Sequence, residues 1–164
     1  MAHIWLIGMM GTGKSTVGRL VAEALQLPFV DVDRVIVEET GQAIEDLFAE
    51  GEHEFREAER IAIARIARRP GHVVATGGGS VLDEENVATM RTTGRTVLLT
   101  ASTETLTERL DPTTDRPLAT GAGDVAALAA ARSTIYAGSA DVTVDTTGLS
   151  VAEVADEVVR CVGM

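Results

Sequence analysis

Eight residues near the start of the chain, Gly-Met-Met-Gly-Thr-Gly-Lys-Ser at positions 8–15, constrain the fold more than any other stretch. They fit the pattern Gly-x-x-x-x-Gly-Lys-Ser/Thr, in which successive backbone N–H groups surround a phosphate and the next helix points its partially positive end at it. Residues 3–7 are apolar enough for a buried strand, and apolar residues recur at helical spacing over 16–26. Because a strand precedes the loop and a helix follows it, the stretch predicts a phosphate-binding loop rather than a glycine-rich turn that binds nothing.

The side chains of this loop have expected roles. Lys14 should reach the outer phosphates of a nucleoside triphosphate, and the Ser15 hydroxyl should ligate magnesium. Lys14 is also the only lysine of the chain, although a composition biased towards arginine is an alternative explanation for that. The residues expected to bind ATP in this loop are Gly11, Thr12, Gly13, Lys14, Ser15 and Thr16.

The composition narrows the function further. A chain of 164 residues with 45% hydrophobic and 24% charged residues suits one domain over 1–164. The formal net charge of −11 argues against a nucleic-acid-binding or anionic-membrane-binding surface. Cys161 is the only cysteine, so no intramolecular disulfide can form, and no segment has the roughly 18 apolar residues of a membrane span. We therefore expect a soluble, cytoplasmic protein.

Strand and helix patterns alternate along the chain. Strands are predicted at 3–7, 29–33, 73–76, 96–101 and 141–145. Helices are predicted at 16–26, 34–39, 43–49, 54–69, 83–92, 102–110, 125–136 and from the capping box at 150–153 onwards. This order predicts an α/β fold with a parallel five-stranded sheet covered by helices on both faces. The helix at 54–69 should bury Phe55, Ala58, Ile61, Ala62 and Ile66, and 111–124 should form a mobile loop.

Carboxylates and glycines follow two of the predicted strands. Asp31 and Asp33 lie two apart at the end of the second strand, where their side chains should point the same way, although they could instead cap the next helix or face solvent. Gly77, Gly78 and Gly79 follow the third strand, where bare backbone lets a ligand come close, with a simple tight turn as the alternative.

Other families that use a phosphate-binding loop fit less well. A GTPase would carry Asn-Lys-x-Asp, which a chain with lysine only at position 14 lacks. A motor or oligomeric ATPase would end an apolar strand in Asp-Glu, and the strands at 73–76 and 96–101 do not. Small kinases that phosphorylate a metabolite are the remaining class.

Several motifs then occur in a fixed order along nearly the whole chain. After the loop at 8–15 come Phe-x-Asp-x-Asp at 29–33, Thr-Gly at 40–41, Phe48, Gly-Glu at 51–52, Phe-Arg at 55–56, Glu59, the glycines at 77–79, Arg-Pro-Leu at 116–118 and Arg-x-x-x-Tyr at 132–136. In this order and spacing the chain resembles shikimate kinase. It departs from the family at Ala119, where a second leucine is usual, and at 133–135, where proline is usual.

The resemblance implies transfer of the ATP γ-phosphoryl group to the 3-hydroxyl of shikimate, on a P-loop kinase fold like that of nucleoside monophosphate kinases. It implies a substrate-binding helical segment at about 33–61 and a lid at about 111–124. It implies Asp33 as the base, Mg2+ held by Ser15 and Asp31, and catalytic roles for Lys14 and Arg116. Further implied contacts are those of Arg56, Arg132, Gly77, Gly78 and Gly79 with shikimate, of Glu59 with Arg56, of Arg116 with ATP from the lid, and of Arg109 with the adenine.

The residues themselves leave alternatives open. Arg56 could form a surface ion pair with neighbouring glutamates, Arg116 could be solvated, and Arg109 could interact with the C-terminal end of its own helix. The assignment of Arg132 depends on its spacing to Tyr136. The rival functions are a related kinase of another polyol acid such as gluconate, or of another cyclitol, and a nucleotide-binding module without catalysis. We expect a monomer that binds ATP and shikimate and no nucleic acid or membrane.

Overall fold

The computed structural model describes residues 2–109 and 122–163. In these ranges the chain alternates between strands and helices. The strands are β1 (His3–Ile7), β2 (Phe29–Asp31), β3 (Val73–Ala75), β4 (Gly94–Thr100) and β5 (Val142–Asp145). The helices are α1 (Lys14–Leu25), α2 (Val32–Thr40), α3 (Ile44–Glu50), α4 (Glu52–Ala67), α5 (Glu84–Thr93), α6 (Thr103–Arg109), α7 (Ala122–Ser139) and α8 (Val151–Val162), with a short 3-10 helix at Ser80–Leu82.

The five strands form one parallel sheet in the order β2-β3-β1-β4-β5, which confirms the predicted fold class. β1 lies at its centre, and Leu6 pairs with Ala75 on one side and with Val97 on the other. Because all strands run the same way, the segments that follow β1, β2 and β3 meet at one edge of the sheet. The phosphate-binding loop follows β1, Asp31 is the last residue of β2, and the three glycines come after β3.

Helices cover both faces of the sheet. Successive side chains of β1 alternate between two apolar clusters: Ile4 and Leu6 pack under α1 and α8, whereas Trp5 and Ile7 pack under α2, α4, α5 and α7. Trp5 has no exposed surface, and its indole Nε1 donates to Thr93 Oγ1 at 3.3 Å. The predicted capping box at the start of α8 is present between Ser150 and Glu153.

The second strand is shorter than predicted. β2 ends at Asp31, whose carboxylate accepts a hydrogen bond from the Asp33 backbone N–H at 3.0 Å and caps α2. The prediction that Asp31 and Asp33 lie on one strand is therefore wrong, and the alternative of a helix cap is correct for Asp31. Asp33 lies in the first turn of α2, on the element that follows the cap.

The buried face of α4 also differs from the prediction. Ile61 is 44% exposed, whereas Ile63 has no exposed surface. The buried stripe is instead formed by Phe55, Glu59, Ala62, Ile63 and Ile66. Glu59 lies on this buried stripe between Phe55 and Ala62, although it was not among the residues predicted to be buried.

The predicted lid falls mostly outside the described residues, since only its last three positions belong to α7. Within residues 2–109 and 122–163, no helix is long and apolar enough to cross a membrane.

Candidate active site

The backbone of the phosphate-binding loop adopts conformations that favour glycine. Gly8, Gly11 and Gly13 have φ values of 139°, 84° and 85°, in the region that side chains disfavour. A side chain at Gly8 would also collide with the carbonyl oxygen of Leu99 on β4. The glycines thus let the loop turn sharply between β1 and α1, whose first residue is Lys14.

Lys14 lies across this loop. Its Nζ donates to the carbonyl oxygens of Gly8 at 2.7 Å and Met9 at 2.9 Å, and the residue is buried. The Thr12 hydroxyl donates to the same Met9 oxygen at 2.7 Å. These bonds hold the ammonium at the loop, where its charge adds to the helix N-terminus as an attraction for anions.

Ser15 and Asp31 bring two oxygen atoms together beside the loop. The Ser15 hydroxyl, in the first turn of α1, donates to Asp31 Oδ2 at 2.5 Å. Mg2+ prefers oxygen ligands and is usually held by one or two protein oxygens together with substrate phosphates. Among the described residues no group of three or more His, Cys, Asp and Glu side chains could hold a metal, so a site here would be of that shared kind. The donor set fits Mg2+.

The glycines after β3 lie against two carboxylates. A Cβ at Gly77 would be 2.9 Å from Glu59 Oε2 and 3.4 Å from Asp33 Oδ1. The absence of a side chain at this position therefore lets a helix α4 carboxylate and a helix α2 carboxylate approach the end of β3. Asp33 is half-buried, whereas Glu59 has no exposed surface.

Arg56 fills the next part of the cleft. Its Nη1 lies 3.0 Å from Glu59 Oε1, and its guanidinium carbon lies 5.1 Å from the centre of the Phe55 ring. A side chain at Gly79 would collide with the guanidinium. With 17% of its side chain exposed, Arg56 forms an ion pair inside the cleft, in addition to a longer contact with Glu52 at 3.5 Å.

Arg132 reaches the same turn from α7. It is 5% exposed, and its Nη1 would lie 3.5 Å from a Cβ at Gly78. Two arginines from different helices therefore converge on the glycine turn. The cleft they share is lined by these arginines, Glu59, the glycines at 77–79, and an apolar wall of Met10, Ile44, Phe48 and Phe55.

Glu59 is held from both sides. Its Oε1 pairs with Arg56, and its Oε2 accepts a hydrogen bond from the Ser80 hydroxyl at 2.9 Å. Burial raises the pKa of this carboxyl above its ordinary value of 4.5, while Arg56 and Ser80 act in the opposite direction and the nearby Asp33 adds to the rise. Glu59 is thus a buried support for Arg56.

Arg109 lies at the rim of the loop. Its Nη1 donates to the Gly11 carbonyl at 3.2 Å and to Thr146 Oγ1 at 3.0 Å, and its Nη2 donates to the Thr146 carbonyl at 3.3 Å. It therefore bridges the loop to the segment after β5, and the adenine contact stays a prediction. Arg116, expected in the lid, lies outside the described residues.

Sequence reasoning missed some of the supporting contacts. Ser80 directly follows the three glycines, and no sequence signal marks it as the partner of Glu59. Asn86 donates through Nδ2 to the Ser80 carbonyl at 2.9 Å and is also buried. Tyr136 stood out only as the end of a motif, but its hydroxyl donates to the carbonyl of Gly78.

The chain is similar to known proteins in both sequence and fold. A family model described as shikimate kinase matches residues 10–163. The shikimate kinase of Symbiobacterium thermophilum is 44% identical over 164 residues, covering 96% of this chain and 94% of that protein. A structure of the shikimate kinase from Acinetobacter baumannii in complex with shikimate has a TM-score of 0.92 at 31% identity, covering 98% of this chain and 92% of that one. A gluconokinase from Sinorhizobium meliloti 1021 covers 99% of this chain and 91% of its own, with a TM-score of 0.66 and 22% identity, and is similar in fold alone.

The burial of Glu59 predicts a pH dependence of stability. Because its pKa is raised on folding, the folded protein keeps this proton at pH values where the unfolded chain has released it. The stability that Glu59 contributes is therefore greatest below about pH 4.5, the unfolded value, and is lost as the pH rises through the folded pKa. Denaturant unfolding of the wild type and Glu59→Gln from pH 4 to pH 7 should show the wild type losing stability relative to the variant. The opposite slope would mean that the Arg56 pairing outweighs burial.

Proposed function

The chain belongs to the shikimate kinase family, and from this we propose that it transfers the γ-phosphoryl group of ATP to the 3-hydroxyl of shikimate. The products are shikimate 3-phosphate and ADP, and the reaction serves aromatic amino acid biosynthesis. The observation that carries the choice of acceptor is the convergence of Arg56 and Arg132 on one glycine turn, close to the Asp33 carboxylate.

The phosphate-binding loop would hold the triphosphate. Phosphoryl transfer is catalysed chiefly by positioning and by neutralising charge on the transferred group. The backbone N–H groups of Gly11, Thr12 and Gly13, with those of Ser15 and Thr16 at the start of α1, are the groups proposed to bind the phosphates. When ATP binds, the Lys14 ammonium would leave the carbonyl oxygens of Gly8 and Met9 and contact the outer phosphates. Its positive charge would then lie beside the phosphate oxygens on which negative charge is redistributed during transfer.

Ser15 and Asp31 would hold Mg2+ through the hydroxyl and Oδ2 that already lie 2.5 Å apart. Bound there with ATP, the ion supplies neutralisation of the phosphate oxygens. The same Asp31 carboxylate caps α2 through Oδ1, which fixes the orientation of the carboxylate group.

Asp33 would accept the proton of the attacking hydroxyl. Its carboxylate lies at the edge of the sheet, near the glycine turn and on the element that follows Asp31. A carboxylate that accepts a hydrogen bond from the substrate hydroxyl orients the oxygen and takes up its proton as the bond to phosphorus forms.

Arg56 and Arg132 would bind the carboxylate of shikimate. A planar guanidinium matches a carboxylate with two parallel hydrogen bonds, which fixes orientation as well as charge. The Glu59 carboxylate offsets one of the two guanidinium charges, and the substrate carboxylate offsets the other. The group formed by Arg56, Arg132, Glu59 and the bound carboxylate is therefore close to neutral. The centres of the Phe48 and Phe55 rings lie 4.4 Å apart, and the two stacked rings form an apolar surface beside the arginines.

Other assignments follow from the family. We assign the helical segment at about 33–61 to acceptor binding, Arg109 to the adenine, and the predicted lid with Arg116 to closure over both substrates and to phosphate binding. We propose that the enzyme is a monomer and that it acts in the cytoplasm. Sedimentation analysis would test the first of these two proposals, and fractionation of the source cells the second.

An ADP-release assay across several acceptors tests the function. With ATP and Mg2+, we expect turnover with shikimate and at least 100-fold lower kcat/KM with gluconate or nucleoside monophosphates, as a rough bound for losing contacts of a site built around other groups. Quinate, which also carries a carboxylate on a ring, distinguishes recognition of the charge from recognition of the hydroxyls. Preference for gluconate would establish the rival kinase, and tight ATP binding without any turnover would establish a binding module.

Replacement of the proposed base should abolish catalysis with little loss of structure. Asp33→Asn keeps the size of the side chain but cannot take up the proton, so kcat should fall by about 100- to 10,000-fold. Steady-state kinetics and thermal unfolding of the same preparation separate chemistry from folding. Near-wild-type turnover in a folded variant would exclude Asp33 as the base.

Removal of Arg56 should affect the acceptor alone. Arg56→Ala is expected to weaken shikimate binding by about 2 to 5 kcal/mol, because a buried charge partner is lost, while the affinity for ATP stays nearly unchanged. Isothermal titration with each substrate measures both. Arg60→Ala is the matched control, since Arg60 lies one turn further on α4 and contacts Asp83 at 3.6 Å outside the cleft. Equal shikimate affinity of Arg56→Ala and Arg60→Ala would contradict the carboxylate assignment.

A further inference from the structure

Tyr136 connects α7 to the glycine turn. The residue is 5% exposed, and its hydroxyl donates to the carbonyl oxygen of Gly78. Arg132 lies one turn earlier on the same helix and therefore on the same face. Its guanidinium lies against the same glycine, at 3.5 Å from where a Cβ would be. The hydroxyl and the guanidinium thus approach one residue of the turn side by side.

A cavity interrupts the packing of α7 next to this hydrogen bond. A cavity of about 360 Å3 lies between α7 and the strands β4 and β5, and Ala129, Ser133, Tyr136 and Ala137 of α7 face it. Met9 and Leu98 line the opposite wall. Leu128 of α7 and Ala140, which directly follows the helix, pack against the apolar core, but side chains across a cavity make few van der Waals contacts, so packing constrains the helix less closely on this side. The hydrogen bond from Tyr136 adds a directional contact between α7 and the glycine turn.

We propose that Tyr136 is a positioning residue for the acceptor: its bond to the Gly78 carbonyl holds α7 so that Arg132 meets the substrate carboxylate in line with Arg56. This rests on the proposed function of the site. Tyr136 itself does not touch the reacting atoms and acts through Arg132. Gly78 supplies the backbone carbonyl that accepts this bond, and the Arg132 guanidinium lies at van der Waals distance from the same residue.

The charges around Tyr136 agree with a hydroxyl that stays a donor. Burial raises the pKa of the phenol above 10.0, while Arg132 on its own helix and Arg56 on α4 act to lower it. Because burial outweighs both arginines, the phenol keeps its proton at neutral pH. A carboxylate bound to the arginines would weaken their opposing effect and raise the pKa of Tyr136 further.

The first experiment compares Tyr136→Phe with Arg91→Ala. The first variant removes the hydroxyl and keeps the ring. We expect its KM for shikimate to rise about five- to tenfold, the size of effect expected for one lost buried hydrogen bond, with kcat and the KM for ATP within about twofold. Arg91 on α5 donates to the Gly138 carbonyl near the end of α7, so Arg91→Ala removes a different attachment of the same helix. That control should leave the KM for shikimate within about twofold.

A double-mutant cycle tests whether Tyr136 acts through Arg132. In an Arg132→Ala background, Tyr136→Phe should change the KM for shikimate by less than about twofold, because the group it positions is gone. An unchanged KM in the single variant, the same increase in both backgrounds, or an equal effect of Arg91→Ala would overturn the proposal. Wild type that does not phosphorylate shikimate would instead refute the proposed function, so the two failures are distinguishable.

A second measurement needs no substitution. Tyr136 is the only tyrosine in the chain, so 3-fluorotyrosine incorporated for tyrosine gives one fluorine NMR signal, and the fluorine lowers the pH at which the phenol titrates. Adding shikimate should shift that titration to higher pH, whereas ATP alone should not, since only a carboxylate engages Arg132. No shift with shikimate, or the same shift with ATP, would contradict the proposed coupling.

Discussion

The close approach of side chains to the backbone after β3 is the constraint on which the acceptor half of the site depends. A side chain at position 77 would press on Glu59, one at position 79 would collide with Arg56, and Arg132 lies at van der Waals distance from position 78. The glycines at 77 and 79 therefore let charged groups of α4 come close to the backbone. The arrangement has a physical cost, since glycine loses more backbone entropy on folding than other residues. The nucleotide-binding half of the site lies next to it, because the parallel strands bring the phosphate-binding loop to the same edge of the sheet.

Burial of charge shapes the chemistry of the cleft. The chain carries a formal net charge of −11, yet the described site gathers Lys14, Arg56 and Arg132, each largely buried. Exposed charges are screened by salt over roughly 10 Å at 0.1 M ionic strength, so the acidic surface has only a weak electrostatic effect on a ligand inside the cleft. Buried cations are screened much less. In the proposed site, recognition of two anionic substrates by this acidic protein would thus depend on a few guanidinium and ammonium groups held by buried partners such as Glu59 and the loop carbonyls.

Local patterns predicted the parts of this structure that are local. The loop at 8–15, the alternation of strands with helices and the Ser150 cap all follow from neighbouring residues. The end of β2 was not predicted, because the strand pattern covers residues 29–33. In the structure the Asp31 carboxylate accepts a hydrogen bond from the Asp33 N–H, and α2 starts there. The inward face of α4 was misjudged for a different reason. A hydrophobic pattern places the charged Glu59 on the surface. Its carboxylate can be buried only because Arg56 and Ser80 donate hydrogen bonds to it.

The position of Trp5 has a consequence for how the molecule can be observed. It is the only tryptophan, it lies in the central strand without exposed surface, and its indole is hydrogen-bonded to Thr93 on α5. Its emission therefore reports whether the sheet and its helical cover are intact, because both must separate before water reaches the ring. Events in the cleft involve α4 and α7, whose side chains share the apolar cluster of Trp5, but the hydrogen-bond partner of the indole lies on α5. A large change in the intrinsic fluorescence of this chain is thus a signal of unfolding.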